Sequence, residues 1–241
     1  SGVAVVADHY WQAKQALEAL PVEWDPGEGA QWKTTEQVYE AARAKLGAGT
    51  GKVVAKAGDI DSVKPAKSLE AYYQTPFCEH MAMEPLNGTA LYSKDKLEIW
   101  YPTQDTKQAY WVAIDESGFA PENVHFNQTF VGGGFGRRTA SADLRTVVSV
   151  AREYPGVPVK VIVSREESTQ QGRYRIMASS HLKAGLDSNG MPAAWQGEVC
   201  YAGGAMISFT FGFSDAPYIA SGAIPNVKMT SDTLPMHLIT G

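Results

Sequence analysis

The stretch TFVGGGFGRRTASADLRTVV, residues 129–148, decides how the chain is interpreted. A run of aromatic and β-branched residues, typical of a strand, ends at three consecutive glycines. Phe135 and two arginines come next, and apolar residues at helical spacing follow. The segment therefore predicts a strand, a tight glycine-rich loop and then a helix over residues 139–154.

A loop of this kind, between a strand and a helix, suits an anionic ligand. Backbone N–H groups at a helix N-terminus are partly positive, and glycines remove the Cβ atoms that would hold a ligand away. Arg137 and Arg138 could add bidentate contacts. The spacing matches neither G-x-x-x-x-G-K-[ST] nor G-x-G-x-x-G. Two interpretations therefore stay open: a ligand-binding loop over residues 132–138, including a non-catalytic nucleotide or phosphate module, and a tight turn with solvated arginines.

Composition excludes several classes of protein. The chain has 241 residues, 44% hydrophobic and 20% charged, with a net charge of −5. At roughly 100–200 residues per domain, it forms one large domain or two small ones. The negative charge argues against a nucleic-acid partner, which needs clustered Lys and Arg. No apolar run approaches the roughly 20 residues of a membrane span.

Periodicity and turn residues predict an α+β fold. Residues 61–67 are the best linker candidate, which places a domain boundary between residues 67 and 68. Residues 205–226, rich in Gly, Phe and Ser, predict a long loop of the kind that lines sites. Helical patterns cover residues 8–20, 34–49, 105–117 and 139–154, and strand patterns cover residues 51–59, 67–76, 89–103, 121–131, 158–167 and 175–204.

The two ends lead us to expect a piece of a longer polypeptide. VAVVAD, residues 3–8, predicts a strand at the very start, and residues 231–241 predict a strand that ends without a capping element. The two cysteines, Cys78 and Cys200, fit neither a zinc pair nor an iron–sulfur set. A disulfide between them is the alternative, but nothing marks a small oxidised scaffold, so we expect two buried free thiols.

Two further groups of polar residues stand out. Glu79, His80 and Glu84 lie within six positions. Pro85 and the surrounding strand pattern disfavour a metal-binding helical face, so we expect a buried histidine–carboxylate pair that orients a loop. Gln104 lies where a strand pattern ends and a helical pattern begins. Taken alone, such a glutamine is most often a surface amide.

Taken together, these segments resemble a known family. MEPLNGTALY, WYPTQDTKQA, VGGGFGRR and PVKVIVSREES occur in this order, and the set is similar to the large subunit of the xanthine oxidase family of molybdenum hydroxylases. The nearest branch holds the isoquinoline 1-oxidoreductase β subunits and bacterial aldehyde oxidoreductases. The resemblance implies a two-layer molybdopterin-binding domain of mixed β-sheet and helices over residues 68–241. Residues 1–67 would be the tail of an α/β hammerhead domain plus the linker.

The resemblance also implies a cofactor and its contacts. The family holds molybdenum through a molybdopterin dithiolene, in bacteria usually as the cytosine dinucleotide, and no protein side chain ligates the metal. Gln104 resembles the glutamine that hydrogen-bonds an oxygen ligand of the metal, and Phe135 the phenylalanine beside it. The positions that match cofactor-contacting residues are Gln104, Gly133, Gly134, Phe135, Gly136 and Arg137. Phe135 and Thr139 match the substrate pocket.

The implied reaction is hydroxylation of an electron-poor carbon, with water as the oxygen source and a glutamate as base. Xanthine-oxidising relatives carry a glutamate at the position of Thr139, so the resemblance favours N-heterocycles or aldehydes over purines. No segment matches the glutamate that acts as the base in this family, so no catalytic residue is assigned. We expect this chain alone to be inactive and to hold the cofactor weakly or not at all.

The resemblance implies partners as well. Electrons would leave through a small subunit with [2Fe–2S] clusters to a downstream acceptor, because two distant cysteines cannot hold such clusters here. A scaffold piece that docks such a partner is a further hypothesis. The family branch implies a bacterial protein, cytoplasmic or periplasmic.

Overall fold

The computed structural model describes residues 2–203 and 222–238. The fold is α+β, as predicted, with two mixed sheets in the described ranges. The helices are α1 Tyr10–Glu18, α2 Thr35–Lys45, α3 Thr106–Ser117, α4 Ala142–Arg152 and α5 Arg165–Gln171. The strands are β1 Lys52–Ala57, β2 Lys67–Thr75, β3 Asn87–Tyr92, β4 Leu97–Tyr101, β5 Val124–Gln128, β6 Pro158–Ile162, β7 Met177–Leu186, β8 Pro192–Gly203 and β9 Asn226–Pro235.

The chain divides into two compact units, each built from two segments. The first unit combines the residues up to Asp25 with Glu79–Gly172, and the second combines Pro26–Cys78 with the residues from Arg173 onward. The division between residues 67 and 68 stays a prediction. The predicted loop over residues 205–226 lies mostly outside the described residues. No helix in the described ranges is long and apolar enough to cross a membrane.

The first unit contains a four-stranded sheet in the order β5-β4-β3-β6. The strand pattern predicted over residues 89–103 corresponds to a hairpin, because β3 and β4 pair antiparallel with Thr89 opposite Trp100. Strand β5 then pairs parallel to β4, with Tyr101 opposite Gln128, and α3 lies between these strands in the chain. Asp105 caps the N-terminus of α3, since its side chain accepts a hydrogen bond from the N–H of Gln108 at 2.9 Å.

Helix α4 supplies much of the core of this unit. Its buried residues fall at i, i+3, i+4 and i+7, which makes one apolar stripe. The stripe belongs to one apolar cluster with buried residues of α3, β3, β4 and β6. The buried residues of α4 are Leu144, Val147, Val148 and Ala151.

One helix prediction and one strand prediction need correction. The helix predicted from Thr139 begins only at Ala142, because Ser141 has a left-handed backbone with φ of +48°. Residues 158–167, predicted as one strand, divide into β6 and the short helix α5. Ser164 caps α5 by accepting a hydrogen bond from the N–H of Glu167 at 3.0 Å. The Ser-x-x-Glu spacing is a known start signal for a helix, so the sequence did carry this information.

The second unit contains a five-stranded sheet in the order β1-β9-β8-β7-β2. Strands β8 and β9 are parallel, and the other neighbours are antiparallel. Helix α2 begins after Thr34, whose side chain accepts a hydrogen bond from the N–H of Gln37. It packs Val38 and Ala42 against Met177 and Cys200 of the sheet.

Two further expectations are wrong. Residues 3–8 do not form a strand, because no strand in the described part of the chain pairs with them. A strand without a hydrogen-bonded neighbour has nothing to offset its ordering cost. Both cysteines are free, but Cys78 is exposed and only Cys200 is buried. Desolvation by burial, followed by the charge of Asp232, raises the pKa of Cys200 to about 11.

Replacing Leu144 tests the packing of α4. Leu144 is fully buried, so Leu144→Ala is expected to lower the free energy of unfolding by about 2–5 kcal/mol. Leu17→Ala makes the same chemical change at a residue that is 43% exposed and is expected to cost less than about 0.5 kcal/mol. Urea denaturation measures both. Equal losses in the two variants would contradict the packing.

The two thiols are expected to differ in reactivity. Thiolates are the nucleophiles, so Cys78 should be alkylated roughly 100-fold faster than Cys200 near neutral pH in the folded chain. Peptide mapping by mass spectrometry distinguishes the two sites. In denaturant the rates should converge, which controls for local sequence, and similar rates in the folded chain would refute the assigned burial.

Candidate functional site

The segment after β4 is joined to the glycine-rich loop by hydrogen bonds. The Thr103 hydroxyl donates to the carbonyl of Arg138 at 3.0 Å, and the N–H of Gln104 donates to the same carbonyl at 3.3 Å. The Thr103 hydroxyl also lies 3.1 Å from the hydroxyl of Ser141. The structure therefore brings Gln104 beside the loop, although 31 positions separate it from Phe135.

The orientation of the Gln104 amide is fixed by the loop. Its Oε1 accepts from the N–H of Gly136 at 3.0 Å and from the N–H of Arg138 at 3.3 Å. Because both partners are donors, the oxygen must face the loop and the amino group must face away. Within residues 2–203 and 222–238 the Gln104 Nε2 has no hydrogen-bond partner. An exposed side chain thus presents two oriented donors.

The glycines serve different purposes. A Cβ at Gly134 would lie 2.3 Å from Oε1 of Gln104, and one at Gly132 would lie 2.5 Å from Cβ of Glu84. These two glycines make room for the protein's own side chains. At Gly136, where φ is +99°, the nearest atom to such a Cβ is Nε2 of His80 at 4.0 Å. Bare, open backbone is therefore found at Gly136.

Phe135 has an unusual backbone for a bulky residue. Its φ is +53°, in the left-handed region, and the residue is 61% exposed. Such conformations carry strain and persist only where the surroundings impose them. Gly133, with φ of +96°, packs beside it: a Cβ there would lie 3.3 Å from Cε2 of the ring. The ring is thereby held at the surface beside Gly136.

The two arginines do not face solvent, which contradicts the solvated-turn interpretation. Arg137 is 7% exposed, and its Nη1 lies 3.3 Å from Oδ1 of Asp143. The other carboxylate oxygen accepts from the Tyr101 hydroxyl at 2.7 Å. Burial, together with the charge of Asp143, raises the pKa of Tyr101 well above its usual value. The N–H of Arg137 donates to the carbonyl of Gly134, which closes a tight turn.

Arg138 is fully buried and points into the first unit. Its guanidinium donates to the carbonyls of Gly133 and Glu84, each at 3.0 Å. It also forms an ion pair with the carboxylate of Glu84 at 3.1 Å. A phosphate at the surface cannot reach a guanidinium in this position, so the phosphate-module interpretation gains no support. Helix α4 also begins six residues after Gly136, away from the open backbone.

The carboxylates near His80 bind other groups, so the predicted histidine–carboxylate pair gains no support from their contacts. Glu79 accepts from the Ser168 hydroxyl at 3.0 Å. Glu84 accepts from the N–H of Gly132 at 2.8 Å. His80 itself is buried. In the described ranges no group of three or more His, Cys, Asp or Glu is arranged to hold a metal ion.

The structure places the predicted site residues in two layers. Gln104, Phe135, Gly136 and Thr139 are exposed and form a rim on the first unit. Gly134 and Arg137 are buried beneath it. Thr103 was missed as part of the site, and Glu84 was singled out only as a possible partner of His80. The contacts that join these two residues to the loop span at least 35 positions, so no local pattern predicts those contacts.

The chain matches a known sequence family over most of its length. Residues 46–238 match the molybdopterin cofactor-binding domain. The chain belongs to this family. The α+β fold and the expected resemblance to molybdenum-binding subunits are therefore confirmed.

Individual relatives agree with the family. The aldehyde oxidoreductase molybdenum-binding subunit PaoC of Escherichia coli (strain K12) is 27% identical over 205 residues, which cover 81% of this chain and 27% of that protein. The isoquinoline 1-oxidoreductase subunit beta of Brevundimonas diminuta is 27% identical over 195 residues, which cover 77% of this chain and 25% of that protein. The chain thus spans about a quarter of the length of these curated relatives.

A solved structure shows the same fold. Reconstituted CO dehydrogenase from Oligotropha carboxidovorans matches 96% of this chain and 32% of that chain, with a TM-score of 0.66 and 17% identity. At this identity the likeness concerns the fold alone.

The rim fits a molybdopterin cofactor. A bulky ligand needs open backbone, and Gly136 provides it. An oxygen ligand of a metal needs a donor, and the Gln104 Nε2 is fixed in orientation with no partner in the described part of the chain. A substrate beside such a group needs an apolar wall, and the Phe135 ring is exposed there. The arrangement places all three features together.

Gly134→Ala tests the contact that orients Gln104. Since φ at Gly134 is not positive, the main effect of the new Cβ is its clash with Oε1 of Gln104. We expect a loss of about 1–3 kcal/mol in the free energy of unfolding. In a Gln104→Ala background the clash is absent, and the same change should cost less than about 0.5 kcal/mol. Urea denaturation of the four proteins gives the coupling, and additive losses would show that the two residues do not touch.

Proposed function

We propose that the chain is the cofactor-binding part of the large subunit of a molybdenum hydroxylase. The enzyme would oxidise an N-heterocycle or an aldehyde with water as the oxygen source. The single observation that carries the proposal is the fixed amide of Gln104, whose oxygen is held by the N–H groups of Gly136 and Arg138 and whose amino group has no partner in the described part of the chain. Membership of the molybdopterin cofactor-binding domain family supports it.

The chain's own residues have distinct tasks in this proposal. Gln104 would donate from Nε2 to an oxygen ligand of the metal. Gly136 would let the cofactor approach the backbone, and Phe135 would form an apolar wall that orients an aromatic substrate. Gly133, Gly134 and Arg137 would shape the loop from below, through the turns and contacts described above. When bound, the molybdenum cofactor supplies the two-electron oxidation, and we propose its cytosine dinucleotide form.

Thr139 bears on the substrate class. It is exposed on the rim, and its N–H donates to the carbonyl of Gly136 at 3.1 Å. A threonine carries no charge, so it cannot act as the acid or base that a purine substrate would require at this position. The printed names of the relatives, an aldehyde oxidoreductase and an isoquinoline oxidoreductase, support aldehydes or N-heterocycles.

The proposal includes partners. We propose that a small [2Fe–2S] subunit receives the electrons and passes them to a further acceptor, because this chain has only two distant cysteines. The glutamate that acts as the base would lie outside this chain, so the chain alone would be inactive. The bacterial relatives support a bacterial source.

Gln104→Glu in the full-length protein tests the role of the amide. The carboxylate keeps the shape and the acceptor but removes both donors. We expect the rate with aromatic aldehydes or isoquinoline to fall roughly 100-fold while the molybdenum content is retained, which is the scale for losing one donor at a reacting centre. Gln108→Glu, at an exposed position in α3, makes the same change away from the site and should keep the wild-type rate.

Elemental analysis and pterin fluorescence of the wild-type protein come first. Full-length protein that contains neither molybdenum nor pterin, yet binds ATP or NAD, would refute the proposal. An unchanged rate in Gln104→Glu would refute the role of Gln104 while leaving the cofactor assignment in place.

A further inference from the structure

We propose that Arg138 and Glu84 act as a positioning pair for the site. Neither residue belongs to the exposed rim, and both would act through Gln104 and the loop over residues 132–138. The inference rests on the proposed function, since it assigns the residues that hold that site in shape. It is carried by the contacts of two side chains within the first unit.

The Arg138 guanidinium connects three separate segments of the chain. It donates to the carbonyl of Gly133 at 3.0 Å and to that of Pro102 at 3.5 Å. It also reaches the carbonyls of Glu84 at 3.0 Å and Pro85 at 3.2 Å. A planar fork with five N–H donors can serve acceptors in several directions at once. The fully buried side chain thereby fixes the loop, the segment after β4 and the segment before β3 relative to one another.

Glu84 completes the arrangement at the other end of the loop. Its Oε2 lies 3.1 Å from Nη2 of Arg138 and accepts from the N–H of Gly132 at 2.8 Å. Its Oε1 accepts from Nδ2 of Asn87 at 2.8 Å, which ties the carboxylate to β3. The loop is therefore held at its start by Glu84 and at its end by Arg138. These two groups are in turn paired with each other.

The pair reaches the site through the backbone. Residue 138 supplies both the buried guanidinium and one of the two N–H groups that hold Oε1 of Gln104. Gly136, two residues earlier, supplies the other. A guanidinium that loosens would therefore move the donors that orient the amide. Arg138 and Glu84 are positioning residues, because each acts on the site only through Gln104 and the loop.

Lysine cannot replace arginine here. Its ammonium carries three donors at one point and cannot span carbonyls on opposite sides. Arg138→Lys keeps the charge that balances Glu84 but loses the connection between segments. Glu84→Gln keeps the acceptor for Gly132 but removes the charge opposite the buried guanidinium, which is costly for a desolvated group. Both variants should loosen the loop, and the second remains available if the first fails to fold.

Hydrogen exchange in the full-length protein, measured by mass spectrometry on peptides that cover residues 132–138, tests the pair. We expect roughly tenfold faster exchange in Arg138→Lys than in the wild type, because the loop opens locally. The matched control is Val148→Ala, which removes fully buried atoms from α4 in the same unit. The exchange rates are compared at temperatures equally far below the melting point of each variant, so that a general loss of stability does not account for the difference. Glu84→Gln should change exchange in the same direction.

A second readout uses the cofactor-loaded protein. Arg138→Lys is expected to lower the rate roughly tenfold at equal molybdenum content, a loss that Val148→Ala should not show. Equal loop exchange in Arg138→Lys and Val148→Ala, or an unchanged rate in Arg138→Lys, would overturn the inference. Wild-type protein without molybdenum or pterin would instead overturn the proposed function, and the exchange measurement would still decide the role of the pair.

Discussion

The structure of the site depends on one buried charge. A guanidinium removed from water is tolerated only when its donors find acceptors and its charge finds an opposite charge. Arg138 meets both conditions, with backbone carbonyls around its fork and the Glu84 carboxylate beside it. Because those carbonyls come from segments far apart in the chain, the hydrogen bonds that stabilise the buried guanidinium also fix the loop. The position of the loop therefore depends on the contacts of Arg138.

The loop stores strain that the surroundings must offset. Phe135 adopts a left-handed backbone that a bulky residue normally avoids, and Gly133 and Gly136 adopt positive φ on either side of it. A free turn would relax. Here the hydrogen bonds of Gln104, Glu84 and Arg138 hold it, so the aromatic ring stays at the surface instead of turning into the core. Backbone strain of this kind clusters at functional sites.

Sequence reasoning could predict much of the fold, and part of the site. The caps at Thr34 and Asp105 and the hairpin of β3 and β4 depend on residues close in the chain, so local patterns predict them. The burial of the Arg138 side chain could not be predicted, because its partner Glu84 is 54 positions away. The pattern Gly-Arg-Arg is compatible with a buried arginine and with a solvent-exposed one. The link between Gln104 and Phe135 came from resemblance to a family, and the structure explains it through hydrogen bonds.

The parallel pairing of β4 and β5 has a consequence for the geometry of the whole rim. Parallel neighbours end at the same edge of a sheet, so the segments that follow Tyr101 and Gln128 emerge side by side. The register of this strand pair therefore sets the distance between the Gln104 amide and the Phe135 ring. A slip of one residue would shift one segment by about 3.3 Å, more than the length of a hydrogen bond. A change in the length of α3 would leave the register of β4 and β5 unchanged, whereas a bulge in either strand would shift it.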